Sequence, residues 1–173
     1  MTSNRSTKII PLILTIVTVA VDQLTKLLVV SFIPVGGTAA SFFDGFLRIV
    51  HHRNLGAAFS MGTNLNDMLR VVFFTVLPVV VFGIFLYYYF RTEDFTTLQR
   101  YAFTGVLGGG IGNIIDRIFR PEGVVDFISV RFYGFLGMEY FPTFNVADSL
   151  IVVCGILLAF SLLQNEGAKS VDN

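Results

Sequence analysis

Residues 9–33 read IIPLILTIVTVAVDQLTKLLVVSFI. A bilayer core about 30 Å thick needs about 20 mainly apolar residues in helical form. This stretch supplies them, interrupted by Asp22, Gln23 and Lys26 in its second half. Arg5 and Lys8 ahead of it give it the charge order of a cleaved signal peptide. No small-x-small site follows, however, and the helical pattern runs on past Lys26, so the stretch is taken as a retained span. Working outward, three more stretches qualify: 68–90, which contains Pro78; 101–119, rich in glycine; and 144–163, with Asp148 near its start. The expected fold is an all-α membrane protein, a single domain over 1–173 with four transmembrane helices. A small β-like or amphipathic element is expected in the first loop, where residues 41–60 mix apolar stretches with polar residues and glycines.

Composition agrees with lipid as the solvent. Hydrophobic residues make up 54% of the 173 residues and charged residues 14%, against about 25% charged in a soluble domain. Twelve Lys and Arg balance twelve Asp and Glu, which leaves no basic excess for a nucleic-acid partner. The lone cysteine, Cys154, excludes an intrachain disulfide and a CxxC metal motif, and its apolar neighbours assign it to packing. Tyr87, Tyr88, Tyr89 and Tyr101 surround one connection, and Tyr133 and Tyr140 precede the fourth span, as an interfacial aromatic belt would. Four spans put both termini on the side of connection 91–100, with 34–67 and 120–143 opposite. Arg5 and Lys8 favour cytoplasmic termini, while the Lys and Arg count over the two sides leans slightly the other way, and the two together do not decide it.

Charge at bilayer depth costs about 2.5–3.5 kcal/mol on the lenient scales, so each exception is a candidate for function. Asp22 and Lys26 share a helix face at i, i+4. So do Asn113, Asp116 and Arg117 at i, i+3, i+4, and Asn145 and Asp148 at i, i+3. Asp22 and Lys26 lie in the half of the first span that faces the two long loops, Asn113, Asp116 and Arg117 end the third span on that side, and Asp148 opens the fourth there. Each also has a plain reading. Asp22 with Lys26 can be an ion pair that orients the first span, Asp116 beside Arg117 reads as structural, and Gly105, Gly108, Gly109, Gly110 and Gly112 read as packing or as room for a bulky ligand. His51 and His52 are adjacent and diverge in any regular element, so no metal site is expected. Ser129 and Ser149 have no histidine near them in sequence. Asp126 and Asp148 flank the last connection on one membrane side. Two carboxylates at about 3 Å share a proton, one activating water and the other polarising a carbonyl. An ion or proton pathway would also use buried carboxylates.

Five segments carry a resemblance: Asp22-Gln23-Leu24-Thr25-Lys26, Asn54-Leu55-Gly56-Ala57-Ala58-Phe59, Gly112-Asn113-Ile114-Ile115-Asp116-Arg117, Val124-Val125-Asp126-Phe127 and Phe144-Asn145-Val146-Ala147-Asp148-Ser149. In order and spacing they resemble the lipoprotein signal peptidases, bacterial signal peptidase II. The resemblance implies an aspartic endopeptidase of the bacterial cytoplasmic (inner) membrane, with cytoplasmic termini and its site at the outer face. It would cut diacylglyceryl-modified prolipoproteins just before the lipid-modified cysteine. It puts the catalytic pair on Asp126 and Asp148 and the supporting polar residues on Asp22, Asn54, Asn113, Arg117 and Asn145. The implied partners are prolipoprotein substrates and membrane lipids, with no cofactor, no metal and a monomeric chain.

Competing classes have sequence tests of their own. A small transporter would place polar residues through the full membrane depth, but the terminus-side halves of the four stretches are nearly free of charge. A rhomboid-type protease needs a Ser/His pair within the spans, and no span contains histidine. The Gly-x-Gly-Asp type fails at Gly110-Ile111-Gly112, which is followed by Asn113. A non-catalytic membrane scaffold remains open at this level.

Overall fold

The computed structural model describes residues 5–56, 62 and 65–171. In chain order the elements are α1 (Arg5–Ile9), α2 (Leu12–Phe32), β1 (Thr38–Phe42), β2 (Leu47–Asn54), α3 (Asp67–Val71), a π turn (Val72–Val76), α4 (Leu77–Arg91), α5 (Thr97–Phe119), β3 (Val124–Val130), a short 3-10 turn (Phe135–Gly137) and α6 (Val146–Val171). Among the described residues, three helical stretches are long and apolar enough to cross a membrane: Arg5–Phe32, Asp67–Arg91 and Val146–Gln164. The fourth expected span lies in α5, which fails on composition because it carries glycines and the polar set Asn113, Asp116 and Arg117.

Helix α5 is the element the others pack around. It starts in a capping box: Thr96 Oγ1 accepts from the Gln99 amide at 3.2 Å, and Gln99 Oε1 accepts from the Thr96 amide at 3.0 Å. Its glycines let two helices approach closely. A Cβ at Gly108 would lie 2.8 Å from Thr18 Cβ in α2, and one at Gly109 would strike the backbone oxygen of Ala147 in α6. Thr15 Oγ1 adds a hydrogen bond across the α2 contact, donating to the Thr104 carbonyl at 2.7 Å. The packing reading of the glycines therefore holds at these positions. Gly109→Ala is expected to push α6 away from α5 and cost about 1–3 kcal/mol, as overpacking does. An unchanged thermal midpoint in detergent would contradict this.

Pro78 is accommodated by the π turn before it. Proline lacks an N–H and crowds the carbonyl four residues back. The widened turn, in which the Leu77 amide reaches the Val72 carbonyl, relieves that crowding without breaking the Asp67–Arg91 helix. Asn66 caps its start by accepting from the Leu69 amide at 2.9 Å.

One sequence reading needs correcting at the terminus end. Tyr89 is fully buried. It stacks on Phe103 with centroids 5.1 Å apart, and its hydroxyl donates to the Lys8 carbonyl at 2.8 Å, so it belongs to a helix-packing cluster and not to an aromatic belt. Tyr87 and Tyr88 are exposed, as a belt requires. Lys8 is also buried, donating to the Phe90 carbonyl and pairing with Glu93 at 2.7 Å.

Outside the helices the chain forms an antiparallel sheet in the order β1-β2-β3. The first loop does form strands, β1 and β2. The third strand comes from the last connection and carries Asp126. Val125 and Phe127 pack on Val29 and Ile33, which ties the sheet to the end of α2.

Candidate active site

Asp126 and Asp148 reach one place from different elements. β3 presents Asp126. Asp148 stands in the first turn of α6, where the positive helix end favours a carboxylate. That turn is locked reciprocally: the Asp148 amide donates to Asn145 Oδ1 at 2.9 Å, and the Asn145 amide donates to Asp148 Oδ2 at 3.1 Å. The Asn145 side chain then turns to the other carboxyl, its Nδ2 donating to Asp126 Oδ1 at 2.8 Å. One residue, fully buried, thus touches both aspartates.

Asn113 and Asn54 complete the cradle. Asn113 Nδ2 donates to Asp148 Oδ1 at 2.8 Å, and Asn54 Nδ2 donates to Asp126 Oδ2 at 3.0 Å. Asn113 Oδ1 accepts from Lys26 Nζ at 2.9 Å and from Asn145 Nδ2 at 3.1 Å. Arg117 lies one turn on, donating to the Asn113 carbonyl at 3.3 Å and the Gly56 carbonyl at 3.0 Å. The last three residues of the Asn54 motif, 57–59, lie outside the described residues.

Asp22 plays a different part. It does not line the cavity; it sits in a buried ion network beneath it. Lys26 Nζ is 2.8 Å from Asp22 and 3.3 Å from Asp116, and all three side chains are fully buried. Arg120 pairs with Asp116 on the outer side. Each acid also fastens a piece of the site. Asp22 Oδ1 accepts from the Ala147 amide at 3.0 Å, holding the start of α6, and Asp116 Oδ2 accepts from the Val125 amide at 3.0 Å, holding β3 beside Asp126. The two open readings of the Asp22–Lys26 pair therefore meet, because an ion pair orients the first span and its lysine also reaches the site through Asn113.

Gln23 escaped the sequence reading. Its amide donates to Asp22, Asp116 and the Gly112 carbonyl, and its oxygen accepts from Arg120 at 3.1 Å, so it knits the network together. Ser149 faces the cavity with its hydroxyl donated to the Asn145 carbonyl. His51 is buried with Nδ1 2.7 Å from the Ile33 carbonyl oxygen, whereas His52 lines the cavity. Cys154 is buried against Gly105.

The cavity has a volume of about 860 Å³. One end is polar, with Asp126, Asp148, Asn54, Asn113 and Arg117. His52, Thr143 and Ser149 also line the cavity, and most of the remaining wall is apolar, with Phe74 on the π turn, Pro78, Phe82, Ile114 and Val152 among others. Burial, reinforced by the charge of Asp148, pushes the Asp126 carboxyl up to about 7, against hydrogen bonds from Asn54 and Asn145 that favour its anion. Such a site can hold one carboxyl protonated and present another to a substrate whose larger part is apolar.

The chain is similar to known proteins over most of its length. The family profile described as signal peptidase (SPase) II matches residues 14–164. A lipoprotein signal peptidase of Treponema pallidum (strain Nichols) is 43% identical over 96% of this chain and 89% of its own length. One from Treponema denticola is 44% identical over 93% of this chain and 92% of its own. Among solved structures, a bacterial membrane enzyme superposes with a TM-score of 0.78 at 27% identity, covering 92% of this chain and 90% of that one. A second superposes at 0.73 and 28%, covering 88% and 92%. With a profile spanning most of its length and relatives of this similarity, the chain belongs to the signal peptidase II family.

Proposed function

We propose that this chain is an aspartic endopeptidase of the bacterial inner membrane that removes the signal peptide from diacylglyceryl-modified prolipoproteins, cutting just before the lipid-modified cysteine. The observation that carries the reading is the convergence of Asp126 and Asp148 on Asn145 at the polar end of a largely apolar cavity. The apolar part suits a signal helix and acyl chains, and the polar end suits a peptide bond. With its carboxyl near 7, Asp126 is the natural proton carrier and Asp148 the base. Asp148 takes a proton from water, the hydroxide attacks the scissile carbonyl carbon, and the Asp126 proton goes to the carbonyl oxygen. Return of a proton to the amide nitrogen then releases the cysteine amine and the signal-peptide carboxylate. Asn54, Asn113, Arg117 and Asn145 hold the carboxyls and the surrounding backbone, and Asp22 supports them from below.

The same reading takes the protein as one domain with four spans, cytoplasmic termini and the site at the outer face. α5, with 23 residues, would extend about 34 Å. Enclosed by α2, α4 and α6, it has no need of the apolar surface that lipid demands of the other three. The chain would act as a monomer.

Purified protein in detergent should convert a diacylglyceryl-modified prolipoprotein to the shorter form and leave the unmodified precursor uncut; no conversion of the modified substrate would sink the proposal. The pH dependence has a fixed sign. The reaction needs the Asp126 proton, which is lost as pH rises through about 7. kcat/KM should therefore fall about tenfold per pH unit on the alkaline side, and a flat profile from pH 7 to 9 would oppose Asp126 as the acid.

A further inference from the structure

Strand β2 holds an irregularity with a directional consequence. Ile49 pairs with Ile128, and the next registered pair is His52 with Asp126, so β2 advances three residues while β3 advances two. One extra residue in β2 reverses which side chains share a face with β3. Without it His51 and Arg53 would stand on the face of Asp126. With it His52 stands directly opposite Asp126 and Asn54 follows two residues on, both on that face. The outcome fits every contact nearby. Asn54 bonds Asp126, His52 lines the cavity and is exposed, and His51 is buried with its ring on the Ile33 carbonyl. Asn54 is committed to a carboxyl, whereas the His52 ring has no hydrogen bond among the described residues. It is a donor that stands opposite Asp126 in the sheet and lines the same cavity as the candidate catalytic pair.

We infer that His52 is a substrate-binding residue, donating a ring N–H to a backbone carbonyl of the segment that follows the scissile bond. The inference rests on the proposed peptidase reading and names the side from which it is served. If the signal helix and acyl chains fill the apolar wall, the polypeptide after the cleavage point leaves along the sheet, past His52. A single hydrogen bond to a flexible segment contributes to holding substrate and little to the bond-breaking step.

The test compares wild type, His52→Ala and His52→Gln on two diacylglyceryl-modified substrates. One continues for several residues beyond the modified cysteine, and the other ends at that cysteine as an amide. On the long substrate His52→Ala should raise KM about fivefold, the worth of one such hydrogen bond, with kcat within about twofold. His52→Gln, which keeps a donor, should restore most of the affinity. On the short substrate all three should match. Equal KM values on the long substrate, or the same KM rise on the short one, would overturn the inference. So would a drop in kcat alone. Thermal midpoints measured in the same detergent must agree among the three, and a His52→Ala midpoint several degrees lower would make the side chain structural and likewise overturn it. Failure of the wider reading would look different, because wild type would then cut neither substrate.

Discussion

Asp126→Asn and Asp148→Asn are each expected to remove essentially all cleavage while the protein stays folded and membrane-inserted. A positioned acid or base contributes about 10²–10⁴-fold, and residues that act as a unit lose nearly the whole effect when one is removed. The substitutions are gentle elsewhere. Each carboxyl accepts a hydrogen bond on both oxygens: Asp126 from Asn54 and Asn145, Asp148 from Asn113 and the Asn145 amide. An asparagine keeps one acceptor and turns a donor toward the other partner. That costs about 1–3 kcal/mol and leaves the helix start and the strand in place. Single-turnover cleavage of a lipid-modified prolipoprotein measures the loss, and full activity in one variant would rule out that aspartate as a catalytic group.

Stability should move the other way for one of the pair, and with pH. A carboxyl held near 7 in the folded protein against 3.8 in its ordinary state keeps a proton that the unfolded chain releases. Stability therefore declines as pH rises from about 4 to about 7 and is lowest, from this group, above that range. The charged form is disfavoured by about 4 kcal/mol, more than the hydrogen bond that asparagine sacrifices. Asp126→Asn should thus unfold at a higher temperature than wild type at pH 8 and show no such gain at pH 5. An equal difference at both values would mean that burial does not strain the ionised group.

Much of this site was legible because charge is costly in lipid. Asp22, Lys26, Asn113, Asp116, Arg117, Asn145 and Asp148 stood out against apolar surroundings, and helical spacing put each group on one face. What was hidden followed from contacts that leave no local mark. α5 falls below the hydropathy of the other long helices, and its neighbours cover much of it: fourteen of its residues are buried, Gln99 and Arg100 among them. β3 showed no apolar–polar alternation because both of its faces are covered. Gln23 carries no charge to draw notice, yet it touches both acids and Arg120. The divergence of His51 and His52 was readable from strand geometry, but which of them faces the cavity depended on one inserted residue in the pairing of β2 with β3. Tyr89 was misread for a related reason. A tyrosine near a helix end suits the interface equally well until a partner such as the Lys8 carbonyl takes its hydroxyl.

Lys26→Met is expected to give the largest loss of stability, about 3–5 kcal/mol, the usual result of breaking a buried ion pair from one side. The side chains are similar in length, so the effect is electrostatic. Buried Asp22, Asp116 and Lys26, with half-buried Arg120 at the edge, form a set of two anions and two cations. Without Lys26, Asp22 keeps only the Ala147 amide and Gln23. Asp22→Asn placed on top of Lys26→Met removes the stranded anion and should recover part of the loss. The coupling between the two changes should be about 1–3 kcal/mol, measured by thermal or denaturant unfolding in detergent. The network also reaches the chemistry. Lys26 holds Asn113, which holds Asp148, and its charge favours the Asp126 anion. Lys26→Met should therefore lower kcat and move the alkaline limb of activity to higher pH, since Asp126 then holds its proton more tightly. A single variant with lowered stability and an unmoved limb would confine Lys26 to a scaffold role. A moved limb makes the ion pair of the first span part of the machinery that sets the protonation of the site.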